Sequence, residues 1–138
     1  MLDNYDIYTD GAYSSIRHQG GSSIIVLKNN LLILEWSKMW RGGTNNTAEL
    51  LSIIVALKAI KDKVGTINIY SDSQYCIGCA VQNWKRKKNI KLWKEFDKQL
   101  LRVRGLCENI NFYHIKGHNG NYWNSYCDKL AVQASKEI

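Results

Sequence analysis

Residues 6–10, Asp-Ile-Tyr-Thr-Asp, alternate polar and apolar side chains and are β-prone, which predicts a first strand closed by Gly11. Ser22–Lys28 and Leu31–Lys38 are two more apolar runs. Asn29-Asn30 between them accepts the left-handed backbone of a tight turn, so the pair predicts a hairpin. From Asn46 to Ile60 apolar residues occupy nearly every side of a helical wheel, which predicts a deeply buried helix. Thr66–Ser71, preceded by Gly65, predicts a fourth strand. Ser73 to about Lys85 and Ile90–Arg104 predict two helices, the second ended by Gly105. Ile110–Lys116 predicts a fifth strand, residues 117–120 a loop, and Tyr122–Lys136 a final helix.

The resulting order is β-β-β-α-β-α-α-β-α. A hairpin unit followed by strand–helix alternation specifies an α/β fold: a mixed sheet with helices packed on its faces. The helix between strands three and four serves as a crossover. Functional residues on such sheets gather beyond the carboxyl ends of the parallel strands.

At 138 residues the chain reads as one domain, 1–138, large enough to fold on its own core. No apolar run approaches the roughly 20 residues of a membrane span, and the first ten residues lack the basic-then-apolar pattern of a signal peptide. Cys76-Ile-Gly-Cys79 has a spacing used in zinc and redox sites, but no second ligand pair follows it. The four cysteines therefore read as free thiols in a reducing intracellular compartment, such as the cytoplasm.

Charge adds a partner. Between residues 84 and 104, nine Lys and Arg side chains face two carboxylates, which accounts for the whole net charge of +7. Lys91, Lys94, Lys98 and Arg102 recur at helical spacing as one stripe beside an apolar face of Leu92, Trp93, Phe96, Leu100 and Val103. A stripe of one sign repels itself. Its persistence next to Trp84 and Trp93 points to a polyanion, hence a nucleic acid.

Four carboxylates carry candidate chemistry. Asp10 ends the first predicted strand, Asp72 follows the fourth, Glu49 opens the buried helix and Asp128 lies in the first half of the last helix. Each has a plain alternative. Glu49 stands three residues after Asn46, the spacing of a capping box in the first helical turn. Asp72 suits an N-cap, Asp10 a turn with Gly11, and Asp128 an exposed face. If the two strands are parallel neighbours, however, all four converge at one sheet edge. Buried like charges persist together where a cation neutralises them. An all-oxygen ligand set favours magnesium or manganese over zinc. Two such ions side by side form a clamp for phosphoryl chemistry.

The chain resembles ribonuclease H, type 1. The likeness rests on Tyr8-Thr9-Asp10-Gly11, residues 44–50 (Thr-Asn-Asn-Thr-Ala-Glu-Leu), residues 70–75 (Tyr-Ser-Asp-Ser-Gln-Tyr), residues 116–120 and Asn124 with Cys127-Asp128-Lys129-Leu130-Ala131, in the family's order. It implies a ribonuclease H-like mixed five-stranded sheet with helices on both faces. It implies a monomeric, metal-dependent endonuclease that cuts the RNA strand of an RNA–DNA hybrid with two Mg²⁺, Mn²⁺ being an alternative. By the same resemblance Asp10, Glu49, Asp72 and Asp128 are catalytic metal ligands, and His118 assists proton transfer or product departure. Asn45, Asn46 and Gln74 match amides that read the hybrid's minor groove, where 2′-hydroxyls mark the RNA strand. Thr44 matches a contact to a DNA phosphate. Gly11, Asn124, Trp84, Lys87, Lys88 and Lys91 complete the expected substrate contacts, and Asn46 doubles as helix cap.

Three departures accompany the match. Ser14-Ser15-Ile16-Arg17-His18-Gln19 replaces an Asn-Pro-Gly-type turn, so Arg17 or His18 stands in for a missing amide. The basic protrusion of bacterial members is trimmed to residues 84–90, and no hybrid-binding domain precedes Asp10. Weaker hybrid binding, partly offset by the basic stripe, is the expectation. Two alternatives stand beside it: another metal-dependent nuclease on this fold, and a non-catalytic hybrid-binding module. The paired amides weigh against the first and the full carboxylate set against the second.

Overall fold

The computed structural model describes residues 1–116 and 121–138. Among these the elements are β1 (Tyr5–Ser14), β2 (Gln19–Lys28), β3 (Leu31–Arg41), α1 (Asn45–Lys58), β4 (Val64–Ser71), α2 (Gln74–Val81), α3 (Ile90–Arg104), β5 (Cys107–His114) and α4 (Tyr122–Ser135). The predicted order holds throughout. The strands form a five-stranded sheet in the order β3-β2-β1-β4-β5. β1, β2 and β3 pair antiparallel, while β4 lies parallel to both β1 and β5.

Asn29 and Asn30 turn the β2–β3 hairpin with φ of 48° and 69°, the left-handed backbone that asparagine tolerates best after glycine. β2 reads as a continuous apolar run because both of its faces are covered. Ile24 and Val26 point into the larger core, shared with Leu50, Ile53 and Leu57 of α1 and Trp93, Phe96 and Val103 of α3. Ile25 and Leu27 point the other way, onto Cys127, Trp123 and Leu130 of α4. Each large side chain buried in this way contributes roughly 1.5–3 kcal/mol of transfer free energy. Helices thus lie on both faces, α1 to α3 on one and α4 on the other.

Two glycines let those helices sit close. A side chain on Gly11 would overlap the backbone of Ala48 and Glu49 in α1. One on Gly21 would overlap the backbone of Ala131 and Ser135 in α4. Gly11 therefore does not end β1, as the sequence suggested. The strand continues to Ser14 because Gly11 pairs with Ser22 in the antiparallel ladder, and Gly11 is the point where α1 crosses it.

Other boundaries move for identifiable reasons. α2 ends at Val81, short of Lys85, because Asn83 adopts a left-handed φ of 59° and Trp84 folds back onto Gly78. β5 begins at Cys107 because Val64 of β4 pairs with it, and it ends at His114, with the Ile115 amide still donating to the Ser71 carbonyl at 2.8 Å. β1, β2 and β3 are longer than expected because their mutual pairing carries them past the apolar runs.

Gly11→Ala is expected to cost roughly 3 kcal/mol, the upper range for overpacking, because the obstruction is helix backbone. A urea melt measures this. An unchanged midpoint would mean that α1 can back away from β1 freely.

Candidate active site

The parallel ladder between β1 and β4 ends at the pair Thr9–Ser71. Asp10 and Asp72 follow that pair directly, Asp72 just past the end of β4, so the two carboxylates meet at the carboxyl edge of the parallel pair. Asp10 is not the last residue of its strand. β1 goes on in the antiparallel ladder with β2, where Asp10 faces Ser23. Glu49 arrives from α1, over Gly11. Ligand oxygens of Asp10, Glu49 and Asp72 all lie within 4.8 Å of one another. Among the described residues this is the grouping of acidic, His or Cys side chains with metal-binding geometry.

The capping explanation for Glu49 fails. The N-cap of α1 is Thr44, whose hydroxyl accepts from the Thr47 amide at 3.2 Å while Thr47 reaches back to the Thr44 amide at 3.2 Å. Glu49 is five residues beyond that cap, and the first turn contains no acidic residue. Asn46 is not a cap either. Asp72 does not cap α2, since Ser73 does so through the Cys76 amide.

Asp10 is 1% exposed and Glu49 4% exposed. One Asp10 oxygen accepts the Gly11 amide at 2.8 Å. Its Oδ2, and Oε2 of Glu49, are buried and have no hydrogen-bond donor among the described residues. Burial, then the charge of Asp72, pushes Asp10 up to about 8, and Asp128 acts in the same direction. Burial, then the charges of Asp10 and Asp72, holds Glu49 well above the ordinary glutamate range. Buried acceptors without donors are rare and costly in native proteins. Unpaired oxygens directed into a group of like charges are the signature of a cation site, and carboxylate-only ligands suit a hard divalent ion. Asp128, half-buried on α4, contributes to the field at Asp10 from the opposite face of the sheet.

The cysteine alternative has no comparable geometry. All four thiols are free, and burial pushes Cys76 up to about 12 and raises Cys79 as well. Both behave as small apolar side chains of the core.

Around the carboxylates the expected substrate contacts divide. Thr44, Asn45, Asn46 and Gln74 are exposed at the N-termini of α1 and α2, beside the same sheet edge. Thr44 and Asn46 share a groove with Lys85, Lys87, Lys88 and Asn89. Sequence reasoning did not single out Lys85, Tyr75 or Asn89. Asn89 links three elements: it accepts from Thr47 at 3.4 Å and donates to the Tyr75 hydroxyl at 3.2 Å, which also receives the Trp93 indole at 3.0 Å. Its only sequence signal is an Asn before a helix, here at φ 57°. Lys91 is exposed on α3, outside this groove. Trp84 lies against Gly78 with 44% of its surface exposed. Gly11 acts by packing. Asn124 is buried in the first turn of α4. His118 lies outside the described residues.

The basic stripe is less uniform than its spacing implied. Arg102 donates to the Leu57 and Ile60 carbonyls at 2.9 and 2.8 Å, closing the C-terminal end of α1. Arg86 lies 4.4 Å over the Trp93 ring and pairs with Asp97 at 2.7 Å. These two cations serve the fold.

Comparison with known proteins matches this geometry. The RNase H family model aligns with residues 3–136. A ribonuclease H of Desulforamulus reducens is 36% identical, covering 99% of this chain and 90% of its own length. A ribonuclease H of Clostridium botulinum is 35% identical, covering 96% and 95%. Among solved structures, the N-terminal RNase H domain of a Mycobacterium tuberculosis protein, fused to maltose-binding protein, superposes with a TM-score of 0.78 at 20% identity, covering 98% of this chain and 94% of that one. RNase H1 of Halobacterium salinarum superposes at 0.72, also at 20% identity, covering 95% and 96%. A family match over nearly the whole sequence, full-length relatives at about a third identity and the shared fold agree: the chain belongs to the ribonuclease H family.

Proposed function

We propose that this protein is an endonuclease that hydrolyses the RNA strand of RNA–DNA hybrids, with Asp10, Glu49, Asp72 and Asp128 holding two Mg²⁺ ions. The observation that carries the reading is the pair of buried oxygens on Asp10 and Glu49 that no donor satisfies. When bound, such ions acidify an attacking water and neutralise charge on the leaving oxygen. Mn²⁺ fits the same oxygen donors.

The chain's own residues do the positioning. The hydrogen bond donated by the Gly11 amide fixes one Asp10 oxygen, and the carboxylate stands with those of Glu49 and Asp72. Asn45, Asn46 and Gln74, exposed beside this edge, read 2′-hydroxyls in the minor groove. Thr44, Lys85, Lys87 and Lys88 line a groove suited to the phosphates of the DNA strand. His118 is assigned proton transfer or product departure, roles that an imidazole side chain can fill. The protein acts as a monomer, and its free thiols suit a reducing compartment. Among the described residues no helix is long and apolar enough to cross a membrane.

Asp10→Asn is expected to abolish cleavage of a labelled hybrid while leaving hybrid binding within about threefold. A variant that still cuts at the wild-type rate removes Asp10 from the ligand set.

Without metal, stability follows from the raised carboxyls. Asp10 moves from an ordinary value of 3.8 to about 8 in the folded state, so its favourable contribution is complete below about pH 4 and disappears as pH rises towards 8. The melting temperature of chelated protein is expected to fall over that window, and Mg²⁺ to restore it at pH 8 by mass action. Asp10→Asn is expected to raise the metal-free melting temperature at pH 8 by roughly 5 °C. A flat pH profile in chelator would show that the carboxylates are not crowded in solution.

Neutralising Lys87, Lys88 and Lys91 together is expected to weaken hybrid binding and to flatten its log–log salt dependence by about 0.9 per lost phosphate contact. An unchanged slope would place these side chains away from the duplex.

A further inference from the structure

The sheet face that α4 covers is only partly covered. α4 packs on β1, β2 and β3, and among the described residues no helix packs over that face of β4 and β5. The opposite face of the same strands is buried against α1, α2 and α3 by Ile67, Ile69, Ile110 and Phe112. The open side carries no aliphatic side chains in the register rows that cross β1, β4 and β5. One row is Tyr8–Tyr70–Tyr113, and the row beneath it is Asp6–Asn68–Asn111.

Each row is a connected ladder. The Tyr8 and Tyr70 rings stack at 4.7 Å and 14°, and Tyr70 and Tyr113 at 5.4 Å and 23°. Asn111 donates to Asn68 and Asn68 to Asp6, each at 3.1 Å, and the Tyr70 hydroxyl also donates to Asp6 at 3.1 Å. The Asp6 charge is thereby engaged. Asn4, Thr66 and Asn30 extend a polar depression below the rows. Tyr8 and Tyr70 stand two residues before Asp10 and Asp72 in the chain, roughly 7 Å along the strand direction. β5 is an edge strand, so the outer face of the Tyr113 ring has no cross-strand neighbour, and the residue is 45% exposed.

We propose that this open face is a track for single-stranded RNA continuing from the strand held at the carboxylates, with one unpaired base extending the tyrosine stack on Tyr113. The inference rests on the hybrid-cutting reading above. An aromatic and amide-bearing sheet surface is the chemistry that reads unpaired bases, through ring stacking and base-edge or 2′-hydroxyl hydrogen bonds. Continuity with the carboxylate edge selects RNA, since that is the strand delivered there. Tyr70 is stacked between Tyr8 and Tyr113, and Tyr8 packs against the Ile25, Leu27 and Cys127 cluster, which limits the stack to one added base at Tyr113.

The test compares a blunt hybrid with hybrids bearing a six-nucleotide single-stranded RNA tail at either end, using anisotropy with chelator and cleavage with Mg²⁺. Wild type is expected to bind one tailed hybrid roughly tenfold more tightly than the blunt one, the scale of a single base–aromatic stack. Tyr113→Ala is expected to erase that gain and leave blunt-hybrid cleavage unchanged, while Tyr113→Phe retains it. Equal affinity for tailed and blunt hybrids in wild type overturns the proposal. So does an equal gain from a DNA tail, or a Tyr113→Ala loss that is the same with and without the tail. Failure to cleave the blunt hybrid at all sinks the parent reading instead, so the two failures are distinguishable.

Discussion

Asp10 and Glu49 each keep one carboxylate oxygen buried where none of the described residues donates to it. Folding brings these oxygens within 4.8 Å of Asp72 and into the field of Asp128. Without a cation the protein relieves this arrangement by protonation, which is what the raised Asp10 and Glu49 express. The surrounding scaffold makes it unavoidable. The parallel β1–β4 pairing places Asp10 beside Asp72, and the bare Gly11 lets α1 deliver Glu49 at close range. Stability is given up locally at these crowded carboxylates, and the apolar core on both faces of β2 offsets the loss.

The cations of the basic run divide between contacts within the fold and an open groove. Arg102 and Arg86, which belong to the basic run by sequence, close the end of α1 and bridge the α2–α3 connection to α3. Lys85, Lys87 and Lys88 sit instead with Thr44 and Asn46 in an open groove. The planar guanidinium suits fixed, several-donor contacts, while the lysine ammonium is a hydrated point charge on a flexible stem. The connection between α2 and α3 is held by Asn89 and Tyr75, so hydrogen bonds set the groove.

The amino-acid pattern alone determined the element order, the Asn29–Asn30 hairpin, the buried character of α1 and the amphipathic face of α3. Each of these depends on neighbours in the chain: a two-residue turn, a 3.6-residue period, an alternation of side chains across a strand. Asp10, Glu49 and Asp72 stood out as candidates in their short motifs, and the structure brings those three together, while Asp128 lies outside their grouping and reaches Asp10 through its field. Only the tertiary structure decided that Thr44 and not Asn46 caps α1, because capping depends on where the chain enters the helix. It likewise placed Gly11 inside β1, through a partner strand eleven residues away. The tyrosine row at 8, 70 and 113 was invisible in one dimension, since those rings meet only through the register of three strands far apart in sequence.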